Sequence, residues 1–156
     1  MIKIDVPGDK VYQLAYLVLD YNGTLACDGR LLPGVTERLT ELADHVAVHV
    51  LTADTFGSAQ AALVGIPCRV EILPAGDQAE GKQAMVQALG PSVTAAVGNG
   101  RNDQLMLVTA VLGIAVVQEE GAAAATLMAA DVVVPSITAA LDLLLRPLRL
   151  TATLRA

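Results

Sequence analysis

Tryptophan is absent from this chain, and aromatic residues of every kind make up only 3% of it. Its core must therefore be built from Ala, Val, Leu and Ile. That composition suits helices packed on a parallel sheet, whose strands are apolar on both faces. Cysteine is scarce as well. Cys27 and Cys68 have no His or second Cys beside them, which argues against a zinc site and for reduced thiols in a cytoplasmic protein. Basic residues are outnumbered, 10 against 16 acidic ones, for a net charge of −6. No basic patch of the kind nucleic acid requires is present, so a nucleic-acid partner is excluded. Long hydrophobic runs are missing too. The longest uncharged apolar stretch, Leu105 to Val117, is too short to span a bilayer and is broken by Gly113. Lys3 and Asp5 interrupt the N-terminal segment, which does not read as a signal peptide. The expectation is a cytoplasmic protein without a membrane partner.

What the chain has in quantity is short apolar segments separated by turn residues. Its 156 residues suit one domain with a single core. Residues 1–13 read as an N-terminal β extension and 146–156 as a C-terminal tail. Mean hydropathy is +0.55, high for a small domain, which implies apolar surface buried in a homo-oligomer. Ile2 to Val6 alternates as a strand before the turn Pro7-Gly8-Asp9-Lys10. Leu14 to Leu19 reads as a buried strand. Asp28-Gly29, flanked by Leu25-Ala26-Cys27 and Arg30-Leu31-Leu32, predicts a hairpin. Further strands are expected at 46–51, 69–73, 93–97, 114–117 and 132–134. Helices are expected at 35–44, 58–64, 79–89, 103–112, 122–130 and 137–145. This alternation predicts an α/β fold, a doubly wound three-layer parallel sheet with a small β-hairpin flap and no cap domain.

Three of these strands end in chemically useful residues: Asp20, Thr52-Ala53-Asp54-Thr55, and Gly98-Asn99-Gly100-Arg101-Asn102-Asp103. The carboxyl ends of strands are where open α/β sheets bind ligands. Lys82 shares a helical stripe with Met85, Val86 and Leu89, so it faces inward rather than to solvent. An aspartate nucleophile, a hydroxyl, a lysine and a polar Gly-rich loop suit phosphoryl transfer, where catalysis is positioning plus electrostatic stabilisation. Asp20 can attack phosphorus and carry an aspartyl-phosphate. Asp20 and Asp103 are the best carboxylate donors to magnesium, and Thr52 and Lys82 are suited to hold phosphoryl oxygens. His45 and His49 lack partners at ligand spacing and read as structural.

At these residues the chain resembles the haloacid dehalogenase superfamily. Asp20-Tyr21-Asn22-Gly23-Thr24 is similar to its first motif, Asp-x-Asp-x-Thr, except at Asn22. Thr52 and Lys82 are similar to the second and third motifs. Gly98 to Asp103 is similar to the fourth, Gly-Asp-x-x-Asn-Asp, except at Asn99. The chain also resembles the phosphorylation domain of P-type ATPases and its soluble relatives, through Thr52-Ala53-Asp54, Gly113 to Val116 and Ala129 to Val133. The resemblance implies a magnesium-dependent phosphohydrolase acting on a small phosphorylated substrate or a phosphoprotein. Asp20, Asn22, Thr52 and Lys82 take the catalytic positions. Thr24, Thr52, Ala53, Lys82 and Asn102 take the phosphate-binding positions, and Asp20, Asn22, Asn99 and Asp103 the metal positions. Neither the stretch from Asp20 to Thr52 nor that from Thr52 to Lys82 has room for a cap domain. In the family, the acid at the position of Asn22 protonates the leaving oxygen. An amide cannot, and such help is worth about 10²–10⁴-fold, so slow turnover is expected. The alternatives are a non-catalytic phosphate-binding or regulatory module, and a structural subunit of a larger assembly.

Overall fold

The computed structural model describes residues 1–54 and 57–156. Of the expected second-motif segment, Thr55 lies outside the described residues. Strands β1 (Ile2–Asp5) and β2 (Val11–Leu14) form an antiparallel hairpin. β3 (Tyr16–Asp20) follows, then the flap strands β4 (Ala26–Cys27) and β5 (Arg30–Leu31), then α1 (Val35–Leu42). β6 (Ala47–Thr52), α2 (Ser58–Ala62), β7 (Arg69–Ile72) and α3 (Gln78–Leu89) come next. β8 (Thr94–Gly98), α4 (Gln104–Thr109), β9 (Leu112–Val116), α5 (Ala124–Ala129), β10 (Val132–Val134), α6 (Ile137–Leu145) and α7 (Pro147–Leu154) complete the described chain.

Six strands make one parallel sheet in the order β10-β9-β8-β3-β6-β7. β3 is central because its residues are apolar on both sides. Leu17 and Leu19 join the larger core cluster, with α1, α2 and α6, while Val18 joins the cluster of Val86, Met106 and Leu107 under α3 and α4. The chain leaves β3 toward β6 and β7, then returns to β8 on its other side. The strand order thus reverses at β3, and such a switch point opens a crevice at the carboxyl ends of the strands. Asp20 stands opposite Leu51, and Leu19 opposite Val97, so Asp20, Thr52 and Gly98 reach that edge together.

The expected doubly wound sheet with a hairpin flap is the one observed. Asp28 and Gly29 both have positive φ, 50° and 78°, as a tight two-residue hairpin turn requires. Several boundaries differ from expectation. Leu14 belongs to the hairpin strand β2, not to the central strand; the chain changes sheets at Ala15, whose N–H donates to the carbonyl of Val93. No Gly or Pro marks that change of partner. The segment read as a tail carries α7, begun by Pro147 at its first turn, where a missing N–H costs nothing. Leu150 is buried in the main core, and the Thr151 hydroxyl donates to the carbonyl of Asp5 on β1. β9 also starts two residues earlier than expected, at Leu112, and α4 ends at Thr109.

Candidate active site

The turn after β3 is wound tightly: the carbonyl of Tyr21 accepts the N–H groups of Thr24, Leu25 and Ala26. Gly23 makes this possible. Its φ is +80°, and any Cβ there would collide with the Asn99 amide. The turn folds the Thr24 hydroxyl back to 3.1 Å from Asp20 Oδ2 and 3.2 Å from Asn99 Oδ1. From the other side α3 delivers Lys82. Its Nζ donates to Asp20 Oδ1 at 2.7 Å and to Asp103 Oδ1 at 2.6 Å, and lies 3.4 Å from Asn102 Oδ1. Both oxygens of the Asp20 carboxylate are therefore held. Asp20, Thr24, Thr52, Lys82, Asn99 and Asp103 are all buried.

Asp103 fixes the fourth-motif loop. Its Oδ2 accepts the N–H groups of Asn99 at 2.9 Å and Gly100 at 2.8 Å. Gly98 is needed beneath it, since a Cβ there would lie 2.5 Å from the Asp103 carboxyl carbon. Two buried carboxylates thus share one ammonium, leaving one negative charge unbalanced. Burial, and then repulsion from Asp103, push the Asp20 carboxyl from 3.8 up to about 7, against the pull of Lys82. Burial works against the Lys82 ammonium, but Asp20 and Asp103 outweigh it and hold its pKa above the ordinary lysine value.

Asp20, Asn22, Thr52, Ala53, Lys82, Asn99 and Asn102 line one cavity of about 420 Å³. Of the remaining candidates, Thr24 and Asp103 lie behind its wall, bonded to the residues that form it. Asn22 is exposed at the mouth. Asp54 is not a cavity residue. Its carboxylate accepts the N–H groups of Ala59 at 2.8 Å and Gln60 at 3.2 Å in the first turn of α2, a structural use of an acid at a helix start.

Several residues of the site were not foreseen, among them Ala75, Gly76 and Gln78 in the cavity lining and two residues after β9. Gln118, after β9, donates through Nε2 to the carbonyls of Gly23 at 3.2 Å and Thr24 at 3.0 Å, and accepts the Ile137 N–H at 2.7 Å through Oε1. It pins the turn after β3 to the start of α6. Glu120, two residues on, lines the cavity. Asn99 braces this same segment, donating through Nδ2 to the Gly121 carbonyl at 3.0 Å. A glutamine or glutamate after a strand carries no local signal of such contacts.

A parallel sheet reversed at β3, with a buried Asp, Thr and Lys converging at its carboxyl edge and no cap domain among the described residues, is the fold of the haloacid dehalogenase superfamily. Solved structures bear this out. A 3-deoxy-D-manno-octulosonate 8-phosphate phosphatase from Moraxella catarrhalis, in complex with magnesium, phosphate and the sugar acid, matches 91% of this chain and 94% of its own with a TM-score of 0.71 at 13% identity. The cobalt-bound enzyme of that type from Haemophilus influenzae matches 92% and 94%, with a TM-score of 0.71 at 13% identity. A zinc-transporting P-type ATPase in its E2.Pi state matches 79% of this chain and 20% of its own, with a TM-score of 0.59 at 25% identity. In sequence, an uncharacterized protein of Methanocaldococcus jannaschii is 53% identical over 60 residues, a match covering 38% of this chain and 64% of that relative. A second uncharacterized protein of the same organism is 49% identical over 39 residues, 25% of this chain and 89% of the relative. No protein-family model matches the sequence.

Proposed function

We propose that the protein is a magnesium-dependent phosphohydrolase that works through an aspartyl-phosphate on Asp20. The observation that carries this reading is the buried Asp20 carboxylate at the cavity floor, with one oxygen on Lys82 and the other on Thr24. A carboxylate held at both oxygens loses little freedom on attack. An Asp20 oxygen bonds to phosphorus, the bond from phosphorus to the leaving oxygen breaks, and that oxygen takes up a proton. Water then attacks phosphorus, releasing phosphate and restoring the carboxylate. Lys82, Thr52 and Asn102 hold the phosphoryl oxygens through the transfer.

The donor set fits a hard divalent cation. The carboxylates of Asp20 and Asp103, the amide oxygen of Asn99 and the backbone carbonyl of Asn22 are all oxygen donors, and the floor carries an unbalanced negative charge. Among the described residues there is no cluster of three or more His, Cys, Asp or Glu suited to a metal. The amide of Asn99 stands where a third acid would complete one, and weak magnesium affinity follows. When bound, magnesium supplies positive charge against the phosphoryl oxygens.

Asn22 is at the mouth but has no proton to give near neutral pH. Slow hydrolysis of alkyl phosphates follows, with acyl and aryl phosphates less affected because their leaving oxygens need little protonation. The test is phosphate release, with magnesium, from acyl, aryl and sugar phosphates, with Asp20→Asn as the blank. Release that requires Asp20 is the expected result. Binding of phosphate without Asp20-dependent turnover would indicate a phosphate-binding module instead.

A further inference from the structure

The charged residues that line the cavity are Asp20, Lys82 and Glu120. Asp20 and Lys82 are spent on each other and on Asp103 at the floor. Glu120 is left at the mouth and, among the described residues, forms no ion pair. Its backbone is not a loose loop. Gln118 ties the turn to the carbonyls of Gly23 and Thr24, the Gly121 N–H closes it onto the carbonyl of Gln118 at 2.9 Å, and Asn99 bonds to Gly121 from inside. The Ala123 N–H then donates to the carbonyl of Asn99 at 2.9 Å. The same residues that shape the nucleophile turn therefore set where Glu120 stands.

If Lys82, Thr52 and Asn102 take the phosphoryl group, the lining left to meet the leaving group includes Asn22, Gln78 and Glu120 with Ala75 and Gly76. Among the described residues, Lys82 is the one cation in the lining. A carboxylate there would meet Glu120 unneutralised, whereas an ammonium would find a counter-charge. We propose that the cavity selects phosphomonoesters whose leaving alcohol carries an ammonium group and disfavours those carrying a carboxylate, with Glu120 as the specificity-determining residue. This rests on the phosphohydrolase reading. It separates the chain from the sugar-acid phosphatases that share its fold, since the acid group of an octulosonate lacks a partner at this mouth.

Three substrates on one six-carbon frame test it: glucosamine 6-phosphate, glucose 6-phosphate and 6-phosphogluconate, compared by kcat/KM with magnesium at a pH where the amine is charged. The amine is expected to exceed the acid by about tenfold, with the neutral sugar between, as attraction and repulsion at a solvent-facing carboxylate allow. Glu120→Gln brings the three values together, Glu120→Lys inverts the order, and added salt shrinks the wild-type spread. Asp20-dependent turnover with the same order in Glu120→Lys as in wild type, or a wild-type preference for the acid, overturns the assignment of Glu120 and leaves the phosphohydrolase standing. No Asp20-dependent turnover of any ester overturns both.

Discussion

At the floor of the cavity, Asp20, Thr24, Lys82 and Asp103 are buried and bonded to one another. At the mouth, Asn22 and Glu120 are exposed, and Asn22 is an amide where an acid could serve proton transfer. On the proposed reading, the floor holds the residues that would attack phosphorus and bind phosphate. On the same reading, Asn22 stands at the mouth where an acid would protonate the leaving oxygen. Attack on phosphorus and departure of the alcohol would then be separable demands, met by separate parts of the cavity.

The largest effect is expected from removing the cation at the floor. Lys82→Met leaves two buried carboxylates without their counter-charge and should destabilise the fold by about 3–5 kcal/mol. Turnover should fall by about 10²–10³-fold, read by thermal melts and phosphate release. A variant that melts and turns over like wild type would mean the floor is not the charged network described. Asn22→Asp works on the mouth and should raise alkyl-phosphate turnover by about 10²-fold, with a smaller gain for acyl phosphates. Equal gains for both would show that leaving-group protonation is not what the mouth lacks.

Gln118→Leu strands the Ile137 N–H and frees the turn after β3. A loss of about 1–3 kcal/mol is expected for an unsatisfied buried donor, with a lowered kcat at little-changed KM. Unchanged kcat in a destabilised variant would make Gln118 purely structural. The last effect is a slope in pH. The Asp20 carboxyl is raised from 3.8 to about 7 in the fold, so ionising it opposes folding. Its cost is absent below the ordinary carboxylate range and complete above about 7. Without added divalent cation, Asp20→Asn should therefore gain stability relative to wild type as pH rises through that window. A constant difference in melting temperature between the two would contradict the unbalanced charge at the floor.

Much of the floor was legible in the sequence because its residues carry local signals. Asp20 ends an apolar strand, Lys82 lies on the stripe of Met85 and Val86, and Asn102-Asp103 opens a helix. The sheet was legible for the same reason: apolar runs alternate with helical periods. The mouth was not. Gln118 reaches Gly23 and Thr24 across 95 and 94 positions, and nothing near it in sequence announces that contact. Leu14, the last residue of β2, reads in sequence as part of the central strand because only Ala15 separates it from Tyr16. Helix α7 was missed because Leu150 becomes core only once β1 lies across it.

The central claim is covalent chemistry at Asp20, and the direct test is to trap it. Wild-type protein incubated with magnesium and radiolabelled acetyl phosphate, then quenched in acid, should carry label that hydroxylamine removes and that maps to the peptide holding Asp20. The Asp20→Asn variant should carry none. Turnover without protein-bound label under conditions that trap an acyl phosphate, or equal labelling of the variant, would contradict Asp20 as the phosphoryl acceptor.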